Sequence, residues 1–180
     1  MKKVILLCGV LFVSINNLQA QFVLTPNGLK CENDNNYIII EIENKTKEEL
    51  FDNAHLFATS SFVSPHDVIS VSGKEQITLN GVVSGIEWKS ILKQQCSVNF
   101  TITMLFKDNR IRIDVPSINK IYTSGAELFL VQPNVMVSDG IFKKNGKIYS
   151  PQTKNGIERF FNKFVIDLEQ YIVQNKHSDW

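Results

Sequence analysis

Net charge, cysteine and long apolar runs are all scarce in this chain. Nineteen basic residues against 18 acidic ones leave a formal net charge of +1. No bulk field therefore favours nucleic acid, an acidic membrane surface or an acidic substrate. Past the N-terminus no stretch approaches the roughly 20 apolar residues of a membrane-spanning helix, so no membrane span is expected. The 3 histidines, His55, His66 and His177, do not stand at ligand spacing, which argues against a metal site. Catalytic signatures are missing as well. The nearest approach to a Gly-x-Ser-x-Gly elbow, Val82-Val83-Ser84-Gly85, has valine where the first glycine belongs. Neither a phosphate loop nor a dinucleotide fingerprint occurs, and no cofactor is expected.

The first 20 residues have an order of their own. Met1-Lys2-Lys3 precedes an apolar run from Val4 to Ile15 and then Leu18-Gln19-Ala20-Gln21, the charged, apolar and small-residue order of a secretory signal peptide cut after Ala20. Export to the periplasm or beyond is expected, without lipidation, because Leu7 is too bulky before Cys8 and too little apolar run precedes it. Cys31 and Cys96 then remain. In an oxidising compartment they can form a disulfide that closes a long loop, worth about 4 kcal/mol on the chain-entropy estimate. The alternative is a free Cys31 and an inward-facing Cys96, which shares the parity of Val98 and Phe100.

What is abundant is patterned β-sequence. From Val98 to Val115 apolar residues alternate with polar ones, broken by Asp108-Asn109, so a two-residue turn folds the run into a hairpin. That register sets Phe106 against Ile111, Met104 against Ile113 and Ile102 against Val115 on one face. The other face pairs Thr103 with Asp114 and Leu105 with Arg112. A slip of one residue would bury Arg112 and Asp114, so the register is strongly specified.

Gln21 to Asn36 reads as an irregular leader with few apolar anchors. Tyr37 to Ile42 is a β-branched strand, apolar on nearly both faces and so expected away from a sheet edge. Thr46 and Glu49 form a capping box opening a helix whose stripe is Leu50, Ala54, Phe57 and Ala58, ending at Ser64-Pro65. Val68–Ser72 and the run from Ile77 are strands, with Gly81 and Gly85 marking a bulge or bend before Trp88. Tyr122 to Val137 is mixed and broken at Pro133-Asn134. Phe142 to Tyr149 carries an Asn-Gly turn that either closes a small hairpin or is a lysine-rich loop. A last helix, capped at Asn155 with Glu158 following, buries Ile157, Phe160, Phe161, Phe164, Val165, Leu168, Tyr171 and Ile172 against the hairpin's apolar face.

The resulting organisation is a signal peptide over 1–20, a leader over 21–36 and a single α+β domain over 37–180, its antiparallel sheet covered by two helices on one face. Certain motifs carry a resemblance: the leader ending in Ala20-Gln21, the Lys47-Glu48-Glu49-Leu50-Phe51 helix start with Ala54 one turn on, the meander toward Trp88, and the hairpin Phe106-Lys107-Asp108-Asn109-Arg110-Ile111-Arg112. Together they resemble a secreted bacterial family of unknown function with a TATA-binding-protein-like fold, over roughly Tyr37 to Tyr122. The resemblance implies a curved antiparallel sheet packed on helices in an exported protein of a Gram-negative bacterium. It brings no activity, and the fold's name does not imply DNA binding.

Lys107, Arg110 and Arg112, like Lys143, Lys144 and Lys147, sit in short turns or among acids and read as solvated edges rather than a nucleic-acid surface. His66-Asp67 is the best acid-base pair, yet adjacent loop residues of this kind ordinarily make turn hydrogen bonds. Three functions compete. The first is a non-enzymatic module binding a protein or envelope component through the open sheet face, with Thr103, Leu105, Arg112 and Asp114 as its interface. The second is a secreted hydrolase using His66, Asp67 and a serine. The third is a structural module whose sheet edge pairs with a neighbour. The oligomeric state is left open.

Overall fold

The computed structural model of the chain describes residues 22–88, 94–133 and 140–174. The expected signal peptide and His177 lie outside those residues. At its centre is β6 (Gln95–Lys107), whose side chains alternate between a buried face and a half-exposed one, the period of two that a half-covered strand requires. On one side β6 pairs antiparallel with β5 (Gln76–Glu87), which carries β4 (Ile69–Ser72). On the other side the chain returns as β7 (Arg110–Asp114) and then β8 (Ser117–Tyr122), both antiparallel to β6. The sheet forks there: β3 (Tyr37–Glu41) pairs with β7, whereas β9 (Glu127–Val131) pairs with β8 and holds β10 (Gly140–Phe142) in parallel.

The tip of the hairpin has the expected register, with Phe106 opposite Ile111, Leu105 opposite Arg112 and Met104 opposite Ile113. Asn109 takes a φ of 64° in the turn, a conformation that asparagine tolerates better than most residues. Beyond Met104 the pairing departs from the simple hairpin. Between the Met104–Ile113 and Thr101–Ser117 pairs the returning strand has one residue more than β6. Pro116 has no N–H to give the ladder, and Val115 donates to the Asn36 carbonyl at 3.0 Å. Val115 and Asp114 therefore do not pair with Ile102 and Thr103, which are held by Leu79 and Thr78 of β5.

One face of this sheet is covered. α1 (Lys47–Ser61) opens with the Thr46–Glu49 capping box, both of its reciprocal bonds being present. The hairpin turn adds to the cap: the Asp108 carboxylate accepts from the Lys47 N–H at 2.8 Å, and the Asn109 side-chain carbonyl accepts from the Lys45 N–H at 3.2 Å. α1 buries Leu50, Phe51, Ala54, Phe57 and Ala58, and Phe51 meets Phe106 edge-on at 5.4 Å between ring centroids. After a one-turn α2 (Pro65–Val68), the long α3 (Pro151–Gln174) covers the rest.

α3 begins at Pro151, not at Asn155. Proline suits the first helical position, where its missing N–H has no intrahelical partner to lose. The Ser150 carbonyl accepts from the Lys154 N–H at 3.1 Å, and its hydroxyl bonds that of buried Thr153 at 2.8 Å. The apolar stripe of α3 lies over β5 and Phe100, its Phe161 ring edge-on to Phe100 at 5.5 Å, while α1 covers the hairpin tip that α3 was expected to bury. Two glycines permit this packing. A β-carbon on Gly81 would fall 2.6 Å from the Phe100 ring, and one on Gly156 2.8 Å from Ile86.

Two further features differ from the sequence expectations, the leader and β3, and two more decide between alternatives the sequence left open. The leader is ordered: β1 (Phe22–Thr25) and β2 (Gly28–Cys31) form a separate hairpin with Phe22, Leu24 and Cys31 buried. α3 clamps it, since Asn162 accepts from the Phe22 N–H at 2.9 Å and donates to its carbonyl at 3.0 Å, and Glu158 accepts from the Leu24 N–H at 2.7 Å. Among the described residues β3 bonds β7 alone and is an edge strand. Cys31 and Cys96 are buried free thiols rather than a disulfide, each packed as a small core residue. The Asn145-Gly146 turn closes a minimal hairpin with one bridge, Phe142 to Ile148. The bulge expected near Gly85 is present between Val83 and Ile86.

Candidate functional site

The face of the sheet turned away from the helices is where β6, β7 and β3 lay side chains next to one another. Their register puts Leu105 beside Arg112 and Arg112 beside Ile39, so a single row crosses three strands. Arg112 is held in place. Its Nε donates to the Asp114 carboxylate at 2.7 Å, and its guanidinium lies 4.3 Å from the Tyr37 ring centroid, a cation-π contact. Tyr37 and Ile39 are 37% and 40% exposed although they are large and apolar.

These residues line a groove of about 550 Å³, with Leu105, Tyr37 and Ile39 as its apolar lining and Lys107, Arg110 and Lys47 toward the turn end. Lys47 is neutralised in part by Glu48 and Glu75, each at 3.8 Å. Among the described residues Lys107 and Arg110 make no ion pair. The groove therefore joins an apolar stripe to a net positive lining, Lys47, Lys107, Arg110 and Arg112 against Glu75, with Glu41 opposite Arg110 on β3, a combination that suits a partner with both apolar and anionic groups.

Of the four interface residues expected from the sequence, Leu105 and Arg112 line the groove. Asp114 orients Arg112, and Thr103 stands one row away against Thr78. Sequence reasoning missed Tyr37 and Ile39. Their outward parity was readable, but nothing in the sequence places β3 beside β7.

The candidate acid-base residues are dispersed. His66 and Asp67 are exposed on α2, where the Asp67 N–H bonds the Ser64 carbonyl at 3.1 Å in the ordinary turn manner. No serine bonds His66 among the described residues. Ser84 instead shares a hydrogen bond of 2.9 Å with Ser97 across β5 and β6. His55 stacks on Phe51 with its ring centroid 6.2 Å away, as a flanking helix residue. The described residues hold no group of three or more acidic, histidine or cysteine side chains arranged for a metal ion, and none of their helices is long and apolar enough to cross a membrane. Burial pushes the Cys96 thiol up to about 11 and raises Cys31 as well, so neither is a ready nucleophile at neutral pH.

Comparison with known proteins agrees with this architecture. Residues 37–120 match the family model described as a domain of unknown function (DUF4468) with TBP-like fold. A crystal structure of a TBP-like protein from Parabacteroides distasonis superposes with a TM-score of 0.58 at 14% identity, covering 78% of this chain and 92% of that one. A DUF4468 family protein from Bacteroides ovatus gives 0.50 at 13% identity, with 76% and 82% covered. At such identities the likeness is one of fold. No curated protein matches the sequence significantly.

Proposed function

We propose, for a chain whose residues 37–120 belong to a domain of unknown function with a TBP-like fold, that it is an exported, non-enzymatic binding module. It holds another protein or an envelope component against the open face of its sheet. The observation that supports this is the groove in which Leu105, Tyr37 and Ile39 lie beside unpaired Lys107 and Arg110. An interface need not be more apolar than ordinary surface, but it does need a central patch that desolvates. Leu105 and the Tyr37–Arg112 stack supply that centre. The two free cations favour an anionic group on the partner and a binding rate that falls with salt.

Export rests on the Met1 to Gln21 order, and with it a partner in the periplasm or outside the cell. The test is affinity capture from the native envelope fraction with the wild-type protein and with Leu105→Ser/Arg112→Glu, each checked for its melting temperature. The proposal predicts partners that the wild type retains and the folded double variant loses by at least about tenfold, the weight of one central residue. Equal yields on both baits would refute it.

A further inference from the structure

Among the described residues the sheet has three edge strands, and they differ in what they leave unpaired. β10 has three residues and β4 has four, none of the latter fully buried, whereas β3 has five with Ile38 and Ile40 buried beneath it. Natural edges are usually blunted by lysine, proline, a bulge or short length. The sequence of β3, Tyr37-Ile38-Ile39-Ile40-Glu41, has none of the first three.

The direction of its free backbone groups follows from two bonds. Ile42 donates to the Asn109 carbonyl at 2.9 Å, and the Asn36 carbonyl accepts from Val115 at 3.0 Å. In an antiparallel strand the N–H and C=O of one residue point to the same side and alternate along the chain. Even-numbered residues thus face β7, and Tyr37, Ile39 and Glu41 direct theirs outward, where no described strand receives them.

We infer that β3 is a homodimerisation edge, pairing antiparallel with β3 of a second copy about a two-fold axis at Ile39. A two-fold interface must be complementary to itself, and this one is on four counts. Centred on Ile39, residue 37 of each copy meets residue 41 of the other, so all three outward N–H groups and all three outward carbonyls per copy find partners. On the open face Ile39 meets its symmetry mate, covering an apolar side chain that is 40% exposed. Glu41, which has no ion pair among the described residues, comes beside the other copy's Tyr37, over which Arg112 lies at 4.3 Å. Opposite Arg110 in its own copy but without an ion pair there, Glu41 thus gains a second cation, the Asp114-bound Arg112, across the axis, twice. On the helix side Ile38 continues the apolar layer into Ile40 of the second copy. Any other centre leaves outward groups unmatched. The result is one sheet running through both copies, with the two grooves side by side. The inference shares Tyr37, Ile39 and Arg112 with the groove described above but does not rest on any partner bound there.

Sedimentation equilibrium on the exported protein, from about 1 µM to about 1 mM, reads the association directly. Wild type should approach twice the monomer mass. Ile39→Pro removes an outward donor but no bond to β7, a place where an edge strand tolerates proline, and should weaken association at least about thirtyfold with the circular dichroism spectrum unchanged. A second arm does not depend on that variant folding. Residues directly opposed in a hydrogen-bonded pair have Cα atoms about 5.5 Å apart, within disulfide range. Ile39→Cys alone should therefore oxidise to a covalent dimer, whereas Tyr37→Cys and Glu41→Cys should do so only when mixed. A wild type that stays monomeric throughout, a dimer that Ile39→Pro leaves intact, or cross-linking without that pattern would each overturn the inference.

Discussion

The two faces of β6 are built to different standards. On the helix side Ile102, Met104 and Phe106 are 0 to 3% exposed and locked between α1, α3 and their cross-strand neighbours. On the open side Thr101, Thr103 and Leu105 are half-buried and meet only side chains of neighbouring strands, Thr101 donating to Asn80 at 2.8 Å and accepting from Asn119 at 3.0 Å. The difference teaches where information resides in this molecule: the inner face specifies the fold, and the outer face is free of that demand.

The largest break in that comparison comes from the inner face. Met104→Asp places a carboxylate among apolar groups with no partner, a cost that exceeds the stability of most domains of this size, and the protein should be unfolded by circular dichroism. Thr103→Asp, one residue away, should shift the melting temperature by only a few degrees. Next in size is Gly81→Val. Its side chain meets the Phe100 ring, which already lies 2.6 Å from where a β-carbon would stand. Urea unfolding should show a loss of about 1–3 kcal/mol, the usual cost of overpacking.

Of the same order at most is the effect of alkali on Cys96. Burial holds its folded pKa at about 11, above the ordinary thiol value of 9.0, so between those values the unfolded chain loses a proton that the folded one keeps. Stability contributed by the neutral buried thiol is complete below pH 9 and falls as pH rises toward 11. Replacing Cys96 by alanine should flatten that fall. Alkylation under denaturing conditions without reductant, read by mass spectrometry, should label both Cys31 and Cys96.

How much of this was legible in the sequence follows the same division. The Met104–Ile113 register, the Thr46–Glu49 cap and the stripe of α3 are local patterns, and periodicity alone carries them. The features that were not legible depend on distant partners. Phe22 and Leu24 look like sparse anchors until Asn162 and Glu158, 140 and 134 residues away, bind their backbone. β3 reads as a central strand because both of its faces are apolar, yet Tyr37 and Ile39 turn toward the open face and not toward a second layer. The hairpin stops short of Ile102 because Pro116 cannot continue the ladder, and the start of α3 at Pro151 precedes the more conspicuous Asn155. Leu105 and Arg112 were readable as neighbours, but the groove around them needed Tyr37 and Ile39 from across the fork.

If the inner face alone specifies the fold, the open face is dispensable to it. The most direct test is the urea unfolding free energy of Leu105→Ser/Arg112→Glu against wild type. A difference within about 1–2 kcal/mol is predicted, as for substitutions outside a packed core. A loss above about 4 kcal/mol, the range of a core truncation, would contradict it and make this face part of what holds the protein together.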